Sequence, residues 1–128
     1  VRAIDTNVLV RLIARDDPHQ TDLAETYIEQ GAWVSLLALA ETIWVLNTVY
    51  GLSSKDQSRA IEMILKHRNL VIQDAETASE ALEIFRSKPS LGFSDCLMLE
   101  MARKAGHIPL GTFGKKLGRI KGAQELRR

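Results

Sequence analysis

Short apolar runs alternate with segments of helical period along this chain, and a run often passes into the next helix with only a cap residue between. Residues 2 to 5 form such a run. It ends in Asp5-Thr-Asn, and Val8, Leu9, Leu12 and Ile13 follow at the spacing of one helix face. Asp17-Pro18 pairs an N-cap with a first-turn proline, and Leu23, Ala24, Tyr27 and Ile28 extend an apolar stripe to Gly31. Ala32 to Leu36 predicts a second strand, followed by a helix from Ala38 to Tyr50 that stops at Gly51. Ser53 or Ser54 caps the next helix, with Ile61, Ile64 and Leu65 on one face. Leu70-Val-Ile predicts a third strand, Thr77 to Arg86 a helix, and Lys88-Pro-Ser-Leu-Gly a loop. Ser94 is the expected cap of a helix over Asp95 to Ala105 closed by Gly106, and Pro109 to Phe113 the last short strand before a basic tail. This alternation predicts a three-layer α/β domain, with a mainly parallel central sheet of four or five short strands flanked by helices.

Size and composition agree with a single domain over residues 1–128: 45% hydrophobic and 26% charged residues are ordinary globular proportions. The net charge of +1 announces no global attraction to nucleic acid, but Lys115 to Arg128 holds six Lys or Arg against the single Glu125. Such a tail is either a solvated face or a phosphate contact. The lone Cys96 sits in an apolar run as a small buried hydrophobe, which suits a reducing cytosol. The longest unbroken apolar stretch, near Leu36 to Ala40, falls far short of the roughly 20 residues that span a bilayer. An unexported, cytoplasmic protein without membrane contact is expected.

Against this background three acids stand in apolar company. Asp5 closes Val1-Arg-Ala-Ile, Glu41 lies inside Leu36-Leu-Ala-Leu-Ala-Glu-Thr-Ile-Trp-Val-Leu, and Asp95 precedes Cys-Leu-Met-Leu. A carboxylate buried there loses hydration worth several kcal/mol unless a cation or donor pairs with it. Each acid also has a simpler reading: Asp5 as a helix cap, Asp95 as a charge favoured by its helix dipole, Glu41 as the partner of an arginine. All three fall at strand-to-helix positions, however, and ligands of parallel α/β sheets collect at the carboxyl ends of strands. Clustered carboxylates need a compensating cation, and all-oxygen donors select a hard ion such as Mg2+ or Mn2+. A water acidified by such an ion and aimed at phosphorus is the ordinary means of phosphodiester hydrolysis. Other constellations are weaker. His19, His67 and His107 have no ligand spacing, Trp33 and Trp44 are expected in the core, and Gly111, Gly114, Gly118 and Gly122 follow no phosphate-loop pattern.

The chain resembles a PIN domain, specifically the VapC-type toxin ribonucleases of toxin-antitoxin pairs. The resemblance rests on Ile4-Asp-Thr-Asn-Val-Leu, Leu39-Ala-Glu-Thr-Ile-Trp-Val-Leu with Tyr50-Gly-Leu behind it, Phe93-Ser-Asp-Cys-Leu before Lys104-Ala-Gly, and Gly111-Thr-Phe-Gly-Lys-Lys-Leu. It implies that Asp5, Glu41 and Asp95 hold one or two Mg2+ or Mn2+ ions, that Asn7 and Thr112 support them, and that RNA is cleaved by water. It further implies phosphate contacts from Lys115, Lys116 and Arg119, a homodimer, and inhibition by a small antitoxin protein.

One position departs from that pattern. Similar sequences carry a fourth acid after Thr-Phe, where this chain has Gly114, so affinity for a second metal should fall first. A natural three-acid site and a substitution that disarms the nuclease both account for the glycine, and the intact Lys115-Lys-Leu-Gly-Arg behind it favours the second. Gly114 also sustains an alternative, a non-catalytic PIN-fold binding module. Aspartyl-phosphate phosphatases and receiver domains fit less well. The first want a second Asp where this chain has Asn7, and the second want an early acid pair that Asp16-Asp17, before Pro18, supplies in the wrong place.

Overall fold

The computed structural model describes residues 1–128, which divide into two compact units, Val1–Ala75 and Glu76–Arg128. In the first, β1 (Arg2–Ile4) leads to α1 (Thr6–Ala14) and α2 (Pro18–Ile28), β2 (Ala32–Val34) to α3 (Leu36–Thr48) and α4 (Ser54–Lys66), and β3 (Leu70–Ile72) closes the unit. The strands pair in parallel in the order β1-β2-β3, with Ile4 opposite Val34 and Val34 opposite Ile72. Each crossover is thus a helix pair, the connection that parallel neighbours require.

Caps set the helix starts. The side chains of Asp5, Asp17, Ser35 and Ser53 each accept a backbone N–H of the first turn of α1, α2, α3 and α4. Because Ser35 caps α3, strand β2 stops at Val34 and the helix opens at Leu36, two residues before the start expected from periodicity. Leu9, Val34, Leu39, Leu46, Ile61 and Ile64 are fully buried, each burial stabilising the fold by about 1.5–3 kcal/mol.

The second unit contains α5 (Ala75–Ser87, from Glu76 onward), a 3-10 turn at Pro89–Leu91, α6 (Phe93–Ala105), β4 (Leu110–Thr112), a 3-10 turn at Leu117–Arg119, and β5 (Ala123–Glu125). Phe85 and Phe93 meet edge to face at 6.1 Å in its core. Gly92, not Ser94, is the N-cap of α6, without a side-chain hydrogen bond; Ser94 lies inside the first turn, because Phe93 is buried at the helix start. Gly106 ends α6 in the left-handed conformation, as its position predicts.

Every strand pairing is parallel, as expected of an α/β domain: β1-β2-β3 form a three-stranded sheet in the first unit, and β4 and β5 pair within the second. β5 lies within the segment expected to be only a basic tail. Its apolar content is too small to announce a strand, and the pairing is supplied by backbone: Leu110 N donates to Gly122 O at 2.8 Å and Leu126 N to Thr112 O at 2.7 Å. Gly118 permits this pair, since a Cβ there would stand 2.7 Å from Glu125 Cβ.

Candidate active site

The carboxyl ends of β1 and β2 are neighbours in register, so the helices that follow them start side by side. Asp5 caps α1 with Oδ1 accepting from Val8 N at 3.1 Å, which leaves Oδ2 outside the cap. Glu41 lies in the second turn of α3 and is held by Thr6, whose Oγ1 donates to its Oε1 at 2.6 Å. Asp5 and Glu41 are thereby joined through the residue that follows Asp5. At the end of β3 the corresponding contact is neutral: Gln73 Oε1 accepts from Leu36 N at 2.9 Å, and its own N–H donates to Val34 O at 2.9 Å.

The setting of these acids differs from their setting in sequence. Asp5 and Glu41 are exposed, although their neighbours Ile4, Thr42 and Ile43 are buried. A strand end and the outer face of a helix bring single residues to the surface from apolar runs, so neither acid bears the desolvation that its sequence context suggests. Trp33 and Trp44 are likewise exposed rather than core residues, Trp44 at 60%. Thr6 and Gln73 were missed by the sequence analysis. Thr6 belongs to the Ile4-Asp-Thr-Asn motif, and it is Thr6 that reaches Glu41, whereas Asn7 is exposed and makes no hydrogen bond to Asp5.

In the second unit Asp95 lies in the first turn of α6, half-buried, and burial raises its carboxyl above the ordinary carboxylate range. Its neighbour Cys96 is fully buried, as expected, and burial pushes its thiol up to about 11, with the charges of Asp95 and Glu100 adding to the effect. The thiol therefore stays protonated near neutral pH and is a poor nucleophile. One acid that is truly enclosed escaped the sequence analysis. Glu100 is 5% exposed, and its Oε1 accepts from Arg103 Nε at 3.3 Å. Arg103 also donates to Lys121 O at 2.6 Å, so its guanidinium fastens the turn before β5 to α6. Gly122 lets it approach, since a Cβ there would fall 2.8 Å from Arg103.

At the end of β4 the Thr112 hydroxyl accepts from Gly114 N at 3.0 Å and closes a small turn. A Cβ on Gly114 would meet only Thr112 Oγ1 at 3.4 Å and Leu117 Cβ at 3.9 Å, so the backbone has room for a side chain. Lys115, Lys116 and Arg119 are exposed, and Lys115, Arg119 and Arg127 line one groove with Gln124 and Glu125. Phe113, two residues before Lys115 in the chain, is 82% exposed.

No three or more His, Cys, Asp or Glu side chains are grouped so as to hold a metal ion by themselves. The Asp5–Glu41 pair nonetheless fits a hard divalent cation by donor chemistry. It offers carboxylate oxygens at an exposed position, and Mg2+ is commonly held by one or two carboxylates with water and substrate phosphates completing the shell.

The PIN domain family model matches residues 3–123, nearly the whole chain and both units. The chain belongs to the PIN domain family, whose members are generally nucleases and often metal-dependent ribonucleases. No curated protein and no solved structure matches it. No helix is long and apolar enough to cross a membrane.

Proposed function

We propose that this chain is a metal-dependent endoribonuclease, the toxin of a toxin-antitoxin pair, in which Asp5, Glu41 and Asp95 hold Mg2+ or Mn2+. The observation that carries the reading is the Asp5–Thr6–Glu41 arrangement at adjacent strand ends in a chain of the PIN family. A bound ion would supply an acidified water and neutralise charge at the phosphorus. Thr6 orients Glu41, the cap fixes Asp5, and Thr112 shapes the turn at the vacant fourth position, Gly114. Lys115, Lys116 and Arg119 contact the RNA backbone, with Phe113 offering a stacking face. The family match across both units favours one functional domain over 1–128, and the family resemblance favours a cytoplasmic homodimer held in check by a small antitoxin.

A second reading, a PIN-fold binding module without chemistry, draws on Gly114, which replaces the fourth carboxylate. One experiment separates the two: RNA cleavage with Mg2+ or Mn2+ by this chain and by Gly114→Asp, alongside metal titration followed by thermal melting. The variant is expected to cleave, and Asp5→Asn, Glu41→Gln or Asp95→Asn within it to lower the rate by at least about 100-fold and abolish the metal-induced rise in melting temperature. If both chains are inert and neither takes up metal, the enzyme reading is lost.

A further inference from the structure

Within the second unit, a groove of about 600 Å³ has Lys115, Arg119, Gln124, Glu125 and Arg127 in its lining, a size usual for ligand sites. Backbone geometry builds it. Gly118 N donates to Gly114 O at 2.9 Å, which winds the turn that carries Lys115 and Arg119, and the lack of a Cβ on Gly118 lets that turn close against Glu125 of β5. Arg127 is placed from the other side. Leu126 N donates to Thr112 O at 2.7 Å and the Leu126 side chain lies over Gly111, 3.5 Å from where a Cβ would stand, so the chain is held to β4 up to the residue before Arg127. The Arg103 guanidinium, donating to Lys121 O, fastens the same segment at its start.

The charges of this groove are free. Arg11, Arg15, Arg59, Arg86 and Arg103 each rest on an acid, whereas Lys115, Arg119 and Arg127 form no salt bridge, even with Glu125 in the same lining. Three cations against one carboxylate leave two positive charges in excess, in a chain whose net charge is +1. A fixed charge attracts a phosphate without the aimed geometry of a hydrogen bond, and over about 8 Å at physiological salt. Cations drawn from two segments, the turn and the chain beyond β5, suit a ligand with more than one anionic group. We propose that the groove holds backbone phosphates of single-stranded RNA, and that Arg127 is a phosphate contact alongside Lys115 and Arg119. The residue that anchors Leu126 is Thr112, whose hydroxyl closes the turn at Gly114, so Arg127 is tied through the backbone to the position of the missing acid. The inference rests on the ribonuclease reading and adds to it a substrate contact in the segment beyond β5.

The test is fluorescence anisotropy with short labelled oligouridine across a salt series, in the presence of a chelator so that neither metal nor cleavage enters. Arg127→Ala should weaken binding and lower the slope of log affinity against log salt by about 0.7, the loss of one phosphate contact on a single strand. Arg127→Lys keeps the charge and should keep the slope. Lys121→Ala removes an equal charge from an exposed position that does not line the groove, and should bind with the parent slope. No binding by the parent, an unchanged slope in Arg127→Ala, or an equal fall in Lys121→Ala overturns the proposal. A labelled oligoglutamate bound more tightly than oligouridine, and lost in Arg127→Ala, would assign the groove to an acidic peptide and overturn it too. The nuclease reading fails separately: slopes that follow these expectations, in a chain whose Gly114→Asp form cleaves nothing, would support the groove and remove the chemistry.

Discussion

Thr6 shows how a contact can be invisible in sequence while the residues on either side are legible. Asp5 stands out because it closes an apolar run, but the pairing of Thr6 with Glu41 depends on two strands lying in register, which no local pattern encodes. Thr6→Val should lower divalent-metal affinity by about tenfold in calorimetric titration, whereas Thr6→Ser should retain it. Burial of the acids was equally hidden. Apolar neighbours in sequence pointed to Asp5 and Glu41 as desolvated, yet the enclosed carboxylate is Glu100, on the inner face of α6 with its own arginine one turn away. A second polar cluster gives a pH dependence. The Asp16 carboxyl is held below its ordinary range, foremost by the Tyr50 hydroxyl that donates to it at 2.8 Å; burial opposes the shift, and the Arg11 charge reinforces it. A carboxyl whose pKa is lowered by folding adds stability above its ordinary range and loses it as pH falls through the folded value. Tyr50→Phe should therefore unfold at lower urea than the parent at about pH 7, and the gap should shrink towards about pH 2.

Among the elements, α3 carries the clearest contrast between what periodicity announces and what packing decides. Its sequence is apolar on nearly every side, which pointed to the core or an interface. The fold buries Leu36, Leu39, Ile43 and Leu46 and leaves Leu37 and Trp44 exposed. Leu39→Ala should cost about 2–5 kcal/mol in denaturant unfolding and Ser35→Ala about 1 kcal/mol through the lost cap, while Trp44→Ala should stay within about 0.5 kcal/mol. The helices were legible because their capping residues and apolar periods agree, as at Asp17-Pro18 and at Gly106. The strands were less so. At three residues each they are too short for an alternation to develop, and β5, Ala-Gln-Glu, has no apolar signature at all. Its place is fixed by the turn that Arg103 fastens and by the close approach at Gly118, so two glycines that fitted no phosphate loop turn out to serve packing.

At the scale of the whole molecule, charge is nearly balanced at +1 while the carboxyl-terminal segment is basic, so any RNA affinity should be local in origin and sensitive to salt. In a salt titration of single-stranded RNA binding, Lys115→Ala should reduce the slope of log affinity against log salt by about 0.7, the loss of one phosphate contact. Phe113→Ala should weaken binding by a comparable amount with the slope unchanged, because stacking releases no counterions. The family was readable because its motifs are short, ordered and spread over nearly the whole chain, and the match over residues 3–123 rests on the same span. The division at Ala75 was not readable. No linker composition marks it, since α5 opens at that very residue.

The turn at Thr112 and Gly114 has a consequence for how such a chain can change over time. Because the hydrogen bond that closes it comes from the backbone of residue 114, and because a Cβ there makes only ordinary contacts with Thr112 and Leu117, substitution at that position need not disturb the turn. Glycine and aspartate codons differ by a single base. An aspartate could therefore enter or leave position 114 by one base change while the backbone of the turn keeps its shape.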